Sequence, residues 1–153
     1  MKQTTTKLQK GIAIIIATLT ILTPHVTKAI GVANLSFSGP SNTTLGSSIT
    51  LTAKLSSQEA INAVAGNIQY SPDQIEITQI KTGSSILKYW QQQPIQNTNS
   101  GLISFTGGLP TPGFQGTGTL ISLTIKAKAI GDSVISFLPS SQVLANDGNG
   151  TAL

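Results

Sequence analysis

AINAVAGNIQYSPDQIEITQI, residues 60 to 80, decides the fold. Val64, Gly66, Ile68 and Tyr70 fall on one side at period two. Ala63, Ala65, Asn67 and Gln69 fall on the other. Strict alternation of this kind belongs to a half-buried strand, because successive side chains of a pleated chain point to opposite faces. Ser71-Pro72-Asp73 then breaks the run, since proline fixes its own φ and has no N–H to give to a ladder. Ile75 and Ile77 restart the alternation. The stretch therefore predicts a strand, a turn and a second strand.

Working outward, the same grammar recurs. Asn34–Ser38 predicts a short first strand with Leu35 and Phe37 on one face, followed by a turn at Gly39–Asn42. Over Ser48–Ser56, Ile49, Leu51, Ala53 and Leu55 alternate with Thr50, Thr52 and Lys54. Period two and the β-branched residues argue against a helix there. Ser57–Ala60 reads as a link into the opening stretch. Lys81–Ser84 reads as a turn. Ser85–Gln96 is less regular, and Pro94 limits it to an edge strand or a loop. After a turn at Asn97–Gly101, Leu102–Thr106 predicts a strand with Ile103 and Phe105 inward. Gly107–Gly116 reads as a long exposed loop. Thr119–Ala129 reads as a long strand, and Ser133–Leu138 and Gln142–Ala145 as the last two. Asn146–Gly150 closes the chain with turn residues. About eight to nine short strands and no helix in this part predict an all-β, antiparallel jelly-roll β-sandwich.

The N-terminus reads differently. Lys2, Lys7 and Lys10 precede the apolar run Gly11–Thr23, and small residues follow at Ala29 and Ala33. This is the pattern of an export signal, and the run is short for a membrane span. Residues 1–33 are expected to be a signal helix, removed after Ala29 or Ala33, or else an N-terminal membrane anchor. Residues 34–153 form the domain. A lipid anchor through a lipobox is excluded because there is no cysteine. The expected location is secreted or at the cell surface.

The leader also explains the charge. The chain carries nine lysines, no arginine and five acids. Lys2, Lys7, Lys10 and Lys28 lie in the leader, so five lysines remain against five acids and the domain is near neutral. The basic character thus belongs to the leader and gives no argument for nucleic acid. The absence of arginine weakens a phosphate site further. Without cysteine no disulfide staples the fold, and the apolar core must suffice.

The chemical inventory is thin. The one histidine, His25, lies in the leader. The domain therefore lacks an imidazole base, a thiol nucleophile and the usual ligands of a transition metal. Of its acids, Asp73 and Asp132 sit in turns and Glu76 on a wet strand face, which does not make a pair of catalytic carboxyls. No enzyme, cofactor or metal is expected. Asn146–Gly150, NDGNG, has one carboxylate and lacks the later Glu of a calcium loop, so it reads as a turn. Tyr89 and Trp90, with Phe114, are candidates for an aromatic platform under a sugar ring, or else for rim and core packing.

The order of elements resembles a cohesin domain. The matching pieces are Ala60–Gly66 with Tyr70-Ser-Pro-Asp73, Ile75–Ile77 with Thr82–Ile86, Gly101–Gly108, Gly118–Lys128 and Val143–Gly148. The similarity runs from about Leu35 to the end and rests on their order and spacing together. Cohesins are nine-stranded jelly-roll sandwiches that bind dockerin modules, whose helices lie on one sheet face, and so assemble polysaccharide-degrading complexes. The resemblance implies binding through a sheet face to which Asn62–Tyr70 contributes. In well-known cohesins an Asn and an Asp stand at the positions matching Ala63 and Ala65, and this sequence departs from that pattern. Asn67, Gln69, Gln92, Ser104 and Thr106 are the remaining outward polar candidates, beside Tyr89 and Trp90. The resemblance also implies one more strand beyond Asn146–Gly150, so the domain is expected to be short of its last strand. The leading expectation is a non-catalytic module whose partner is a dockerin-like or other secreted protein. Direct binding of a polysaccharide and a structural surface or adhesion domain are the alternatives.

Overall fold

The computed structural model describes residues 31–153. Residues 1–30 of the expected signal or anchor segment, His25 among them, lie outside the described residues, and Ala33, placed at the end of that segment, already pairs with Ser57. The described part contains eight strands and no helix. They are β1 (Ala33–Ser38), β2 (Ser48–Tyr70), β3 (Ile75–Lys81), β4 (Tyr89–Asn97), β5 (Leu102–Gly108), β6 (Phe114–Ala127), β7 (Ile135–Phe137) and β8 (Gln142–Ala145). Every pairing between them is antiparallel.

β2 is the strand on which both layers hang. Its first half lies between β6, with Ser48 opposite Lys126, and β1, with Leu35 opposite Leu55. β3 flanks β6 to complete this back layer. Its second half lies between β5, with Ala65 opposite Thr106, and β7 and β8 on the other edge. β4 flanks β5 to complete the front layer. The change of partners coincides with a register shift between Ser57 and Ile61. A bulge bends a strand and raises its twist, which lets one strand turn a corner between two sheets. Ser57–Ala60 is therefore not a link between strands but a corner within one. The buried Ser57 hydroxyl donates to the Glu59 carbonyl at 2.8 Å and accepts the Glu59 N–H at 3.2 Å. Those bonds satisfy backbone groups that the irregular ladder leaves over.

The inward residues of both layers meet in one core. Leu55, Ile61 and Ile68 of β2, Ile103 and Phe105 of β5, and Leu120, Ile121 and Leu123 of β6 are all but inaccessible to solvent. The inward side read from the opening stretch, Val64, Gly66, Ile68 and Tyr70, is buried throughout. Gly66 stands opposite Phe105 in register. A Cβ on Gly66 would fall 2.2 Å from the Phe105 Cζ, so the missing side chain is what lets the ring lie over the strand. The segment between β3 and β4 crosses from the back layer to the front, with the Ile86 N–H on the Thr119 carbonyl and the Lys88 N–H on the Gly108 carbonyl.

Several boundaries differ from the sequence reading. Gly107 and Gly108 prolong β5, and β6 already begins at Phe114, so the expected ten-residue loop shortens to residues 109–113. Glycine and proline mark turns, but pairing with Trp90 and Tyr89 holds the two glycines in the ladder. The penultimate strand contracts to Ile135–Phe137. β4 is an edge strand, as Pro94 requires, and its register slips between Gln92 and Ile95 around that proline.

Among the described residues, every buried side-chain nitrogen or oxygen has a partner. Tyr70 shows how. Its buried hydroxyl accepts the Gln96 Nε2–H at 2.8 Å, joining β2 to the edge strand β4. Tyr70→Phe is expected to lower stability by about 1 kcal/mol, because the ring still packs while Gln96 loses its acceptor. Urea unfolding followed by fluorescence measures this, and an unchanged midpoint would show that the bond contributes nothing.

Candidate binding face

The outward side of the front layer is built from rows of directly paired residues. One row runs Tyr89, Gly108, Ala63, Leu144 across β4, β5, β2 and β8. The next runs Gln92, Thr106, Ala65, Gln142. A third places Ile95 and Ser104 beside Asn67, and a fourth places Asn97 and Leu102 beside Gln69 and Ser136. Residues paired across a ladder share a face, so these side chains form one surface.

Several of its polar groups are engaged within the protein. The Asn67 backbone N–H donates to Ser141 Oγ at 3.0 Å, and Ser141 Oγ returns a bond to the Asn67 carbonyl at 3.1 Å. The Asn67 side-chain amide donates to the Ser140 carbonyl at 3.4 Å. Asn67 thus pins the turn between β7 and β8 to β2. Gln69 Nε2 donates to the Ser100 carbonyl at 2.7 Å and so holds the β4–β5 turn. Gln92 Nε2 donates to Ser104 Oγ at 3.0 Å, across the two strands. Thr106 sits among these with no hydrogen-bond partner for its hydroxyl among the described residues, and it faces outward in the middle of the sheet.

The seven candidate residues do not all come together. Asn67, Gln69, Tyr89, Gln92, Ser104 and Thr106 share the front face. Trp90 does not. It pairs with Gly107 and turns inward, edge-on to Phe105 with ring centroids 6.2 Å apart. Tyr89, which pairs with Gly108, points out and is 64 % exposed. The two neighbouring aromatics therefore face opposite sides of β4 and make no common plane. Phe114, opposite Ile61 at the start of β6, packs against the core. The alternation itself carried this signal, but Pro94 and the glutamine run hid the strand.

Trp90→Ala is accordingly expected to cost stability, by less than the ~3–5 kcal/mol of a fully buried tryptophan. Retention on cellulose or chitin, corrected for the unfolded fraction, should not change. A specific loss of retention by folded mutant would restore Trp90 as a sugar contact.

Residues that the sequence reading passed over complete the face. Leu144 and Gln142 of β8 lie beside Ala63 and Ala65, and Ile95, 59 % exposed, stands on the outer rim. Their signal was parity within short strands, which fixes a face only once the partner strand is known.

Elsewhere, a cleft of about 620 Å³ opens at the end of the sandwich, between Phe37, Leu45, Ile49, Ile75, Ile125 and Val134. Phe37 on its wall stacks on Phe137 with ring centroids 5.0 Å apart, and none of the candidate residues of the front face lines it. The Asn146–Gly150 turn folds Asp147 onto itself. The Thr151 hydroxyl and the Asn149 N–H bond its carboxylate and hold it below the usual carboxylate range. Among the described residues, no three His, Asp or Glu side chains gather where a metal ion could sit.

The cohesin domain model matches residues 33–152. The chain belongs to the cohesin family. The expectation drawn from the order of its segments is thereby met. No curated protein matches the chain. Solved structures resemble the fold. A cohesin in the CaDoc0917–CaCohA2 complex is 18 % identical with a TM-score of 0.66, covering 80 % of this chain and 92 % of its own. The sixth cohesin of Acetivibrio cellulolyticus scaffoldin B, in complex with a mutant Cel5 dockerin, is 19 % identical with a TM-score of 0.62, covering 78 % and 89 %. The cohesin module of a Clostridium perfringens family 33 glycoside hydrolase is 13 % identical with a TM-score of 0.60, covering 80 % and 89 %. At these identities the likeness is one of fold. Cohesin modules are non-catalytic binding domains, and two of these relatives were solved with dockerins.

Proposed function

We propose that this cohesin module is exported, has no catalytic activity of its own, and binds a dockerin-type module through the outward face of its front layer. By holding such a partner it takes part in assembling polysaccharide-degrading complexes at the cell surface or in the medium. The observation that carries this reading is the face itself. Four adjacent strands present aligned rows, with small residues Ala63, Ala65 and Gly108 in the middle and the larger Tyr89 and Leu144 at the sides. A sheet face with a low centre accepts a helix laid across it, and a helix with its side chains is about 10–12 Å in diameter. Four strands spaced by about 4.8 Å give a bed of about 15 Å. Export is supported by the lysine-flanked apolar run at Gly11–Thr23. The lack of an enzyme role is supported by the poverty of catalytic side chains in the domain.

The test is direct binding. Immobilised protein is presented with a panel of purified dockerin modules, among them those of the CaDoc0917–CaCohA2 and scaffoldin B complexes, and with insoluble cellulose and chitin. Saturable one-to-one binding of at least one dockerin is the expected result. Retention on polysaccharide with no dockerin bound would replace this reading with direct carbohydrate recognition.

A further inference from the structure

The charges of the domain are distributed unevenly between its layers. The back layer carries Lys54, Glu76, Lys81 and Lys126 on its strands. The front-layer segments carry none: residues 60–70, β4, β5, β7 and β8 together hold no Lys, Arg, Asp, Glu or His. The domain has ten charged residues and places none within these segments, with Glu59, Lys88 and Asp147 lying just beyond their ends. What fills the front face is amide, hydroxyl and hydrocarbon.

We infer that the front face takes a partner helix whose contact side chains are uncharged, seating small or apolar residues in the Tyr89–Gly108–Ala63–Leu144 row. The inference rests on the cohesin reading above and says what kind of dockerin surface fits this chain. The exposed Lys88 stands only at the rim, beside Tyr89, so a charged side chain brought against the centre of this face would be stripped of water with no counter-ion to meet it, which is costly. Over Asn67, Gln69 and Gln92 the amide nitrogens are already donated within the protein, which leaves their side-chain carbonyl oxygens to accept from small neutral donors such as a serine hydroxyl. Apolar and small groups gain from burial. The row that suits them is plain in the geometry. Gly108 leaves open space, where an added Cβ would meet only the Asn62 carbonyl at 3.4 Å. Ala63 beside it is short, and exposed Tyr89 and half-buried Leu144 stand as walls. The Thr106 hydroxyl in the next row is placed to fix the register of the helix with one neutral hydrogen bond. With no charge pairs to screen, the association should be nearly indifferent to salt.

The experiment uses a displayed library on the CaDoc0917 dockerin scaffold, with exposed helix positions randomised to all residue types and selected against the folded protein. The native dockerin panel runs beside it. Selected helices are expected to carry Ala, Ser, Leu or similar neutral residues at contact positions. Their affinity should change by less than about threefold between roughly 0.05 and 0.5 M salt. Ala63→Trp, which fills the row, should abolish their binding while the thermal melt of the protein stays cooperative. Selection of Lys-, Arg-, Asp- or Glu-rich helices, or a loss of about tenfold or more with salt, overturns the inference while leaving the dockerin reading in place. Binders indifferent to Ala63→Trp overturn the placement on this row. Failure of the library and of every native dockerin removes the dockerin reading itself, and the inference with it.

Discussion

Phe105→Ala lowers the stability of the domain by about 3–5 kcal/mol, the largest single effect expected from any substitution here. Phe105 is 1 % exposed, sits at the centre of β5, and closes its ring over Gly66 and against the Trp90 edge. Truncation removes the buried ring and leaves a cavity that three rigid strands cannot collapse to fill. Against a typical domain stability of about 5–15 kcal/mol, such a loss leaves a marginal fold. The partner residue gives the sharper test. Gly66→Ala puts a methyl where the ring now lies, at a cost of about 1–3 kcal/mol. In a Phe105→Leu background the same substitution should cost much less, because a shorter side chain leaves the space above Gly66 open. The coupling between the two sites should reach about 0.5–3 kcal/mol, measured from urea midpoints of the four proteins with the m-value checked in each. Simple additivity would mean that the ring and Gly66 do not meet.

Ala65→Arg abolishes or weakens partner binding by about a hundredfold, or roughly 2.7 kcal/mol, while leaving the fold intact. Ala65 is central in the row of Gln92, Thr106 and Gln142 and faces outward. An arginine there has room to reach water in the free protein, so the melting temperature should move little. In the complex its guanidinium would be trapped between an uncharged sheet and the bound helix, without a carboxylate to pair with. The control is Lys54→Ala on the back layer, which removes a charge and should leave binding unchanged. Titration calorimetry of both variants with a binding dockerin decides the matter. Equal losses would deny that the front layer is the contact surface, and a loss only in Lys54→Ala would move the contact to the back layer.

The contrast between these two substitutions shows what was legible in the residues. The inward side of the decisive stretch was plain, because alternation of Val64, Ile68 and Tyr70 with polar and small neighbours has one physical reading in a sheet with a single dry side. The edge role of β4 followed from Pro94, which has no N–H to offer a second neighbour. The outward placement of Asn67, Gln69, Ser104 and Thr106 followed from the same parity. That these residues act differently from one another did not follow. Asn67 and Gln69 are tied to the turns at Ser140–Ser141 and Ser100–Gly101, and those turns come close only when β7, β8 and β5 are laid beside β2.

Chain-local pattern thus determined the class of fold, the inward and outward sets of the regular strands, most of the turns between them and the poverty of catalytic groups, while the family was legible in the order and spacing of the segments. The local features depend on a residue and its near neighbours, where period two and the φ preferences of proline and glycine act. The tertiary structure alone decided that Ser48–Tyr70 is one strand bent at Ser57, because a bulge costs little in sequence and is recognised by the change of partners on both edges. It further showed which of the two neighbouring aromatics is inward, because opposite facing follows from alternation but the choice of Trp90 for the core is set by the pairing of β4 with β5. It also gathered the uncharged segments into one layer, since strands distant in the chain share a face only through their hydrogen-bonded order.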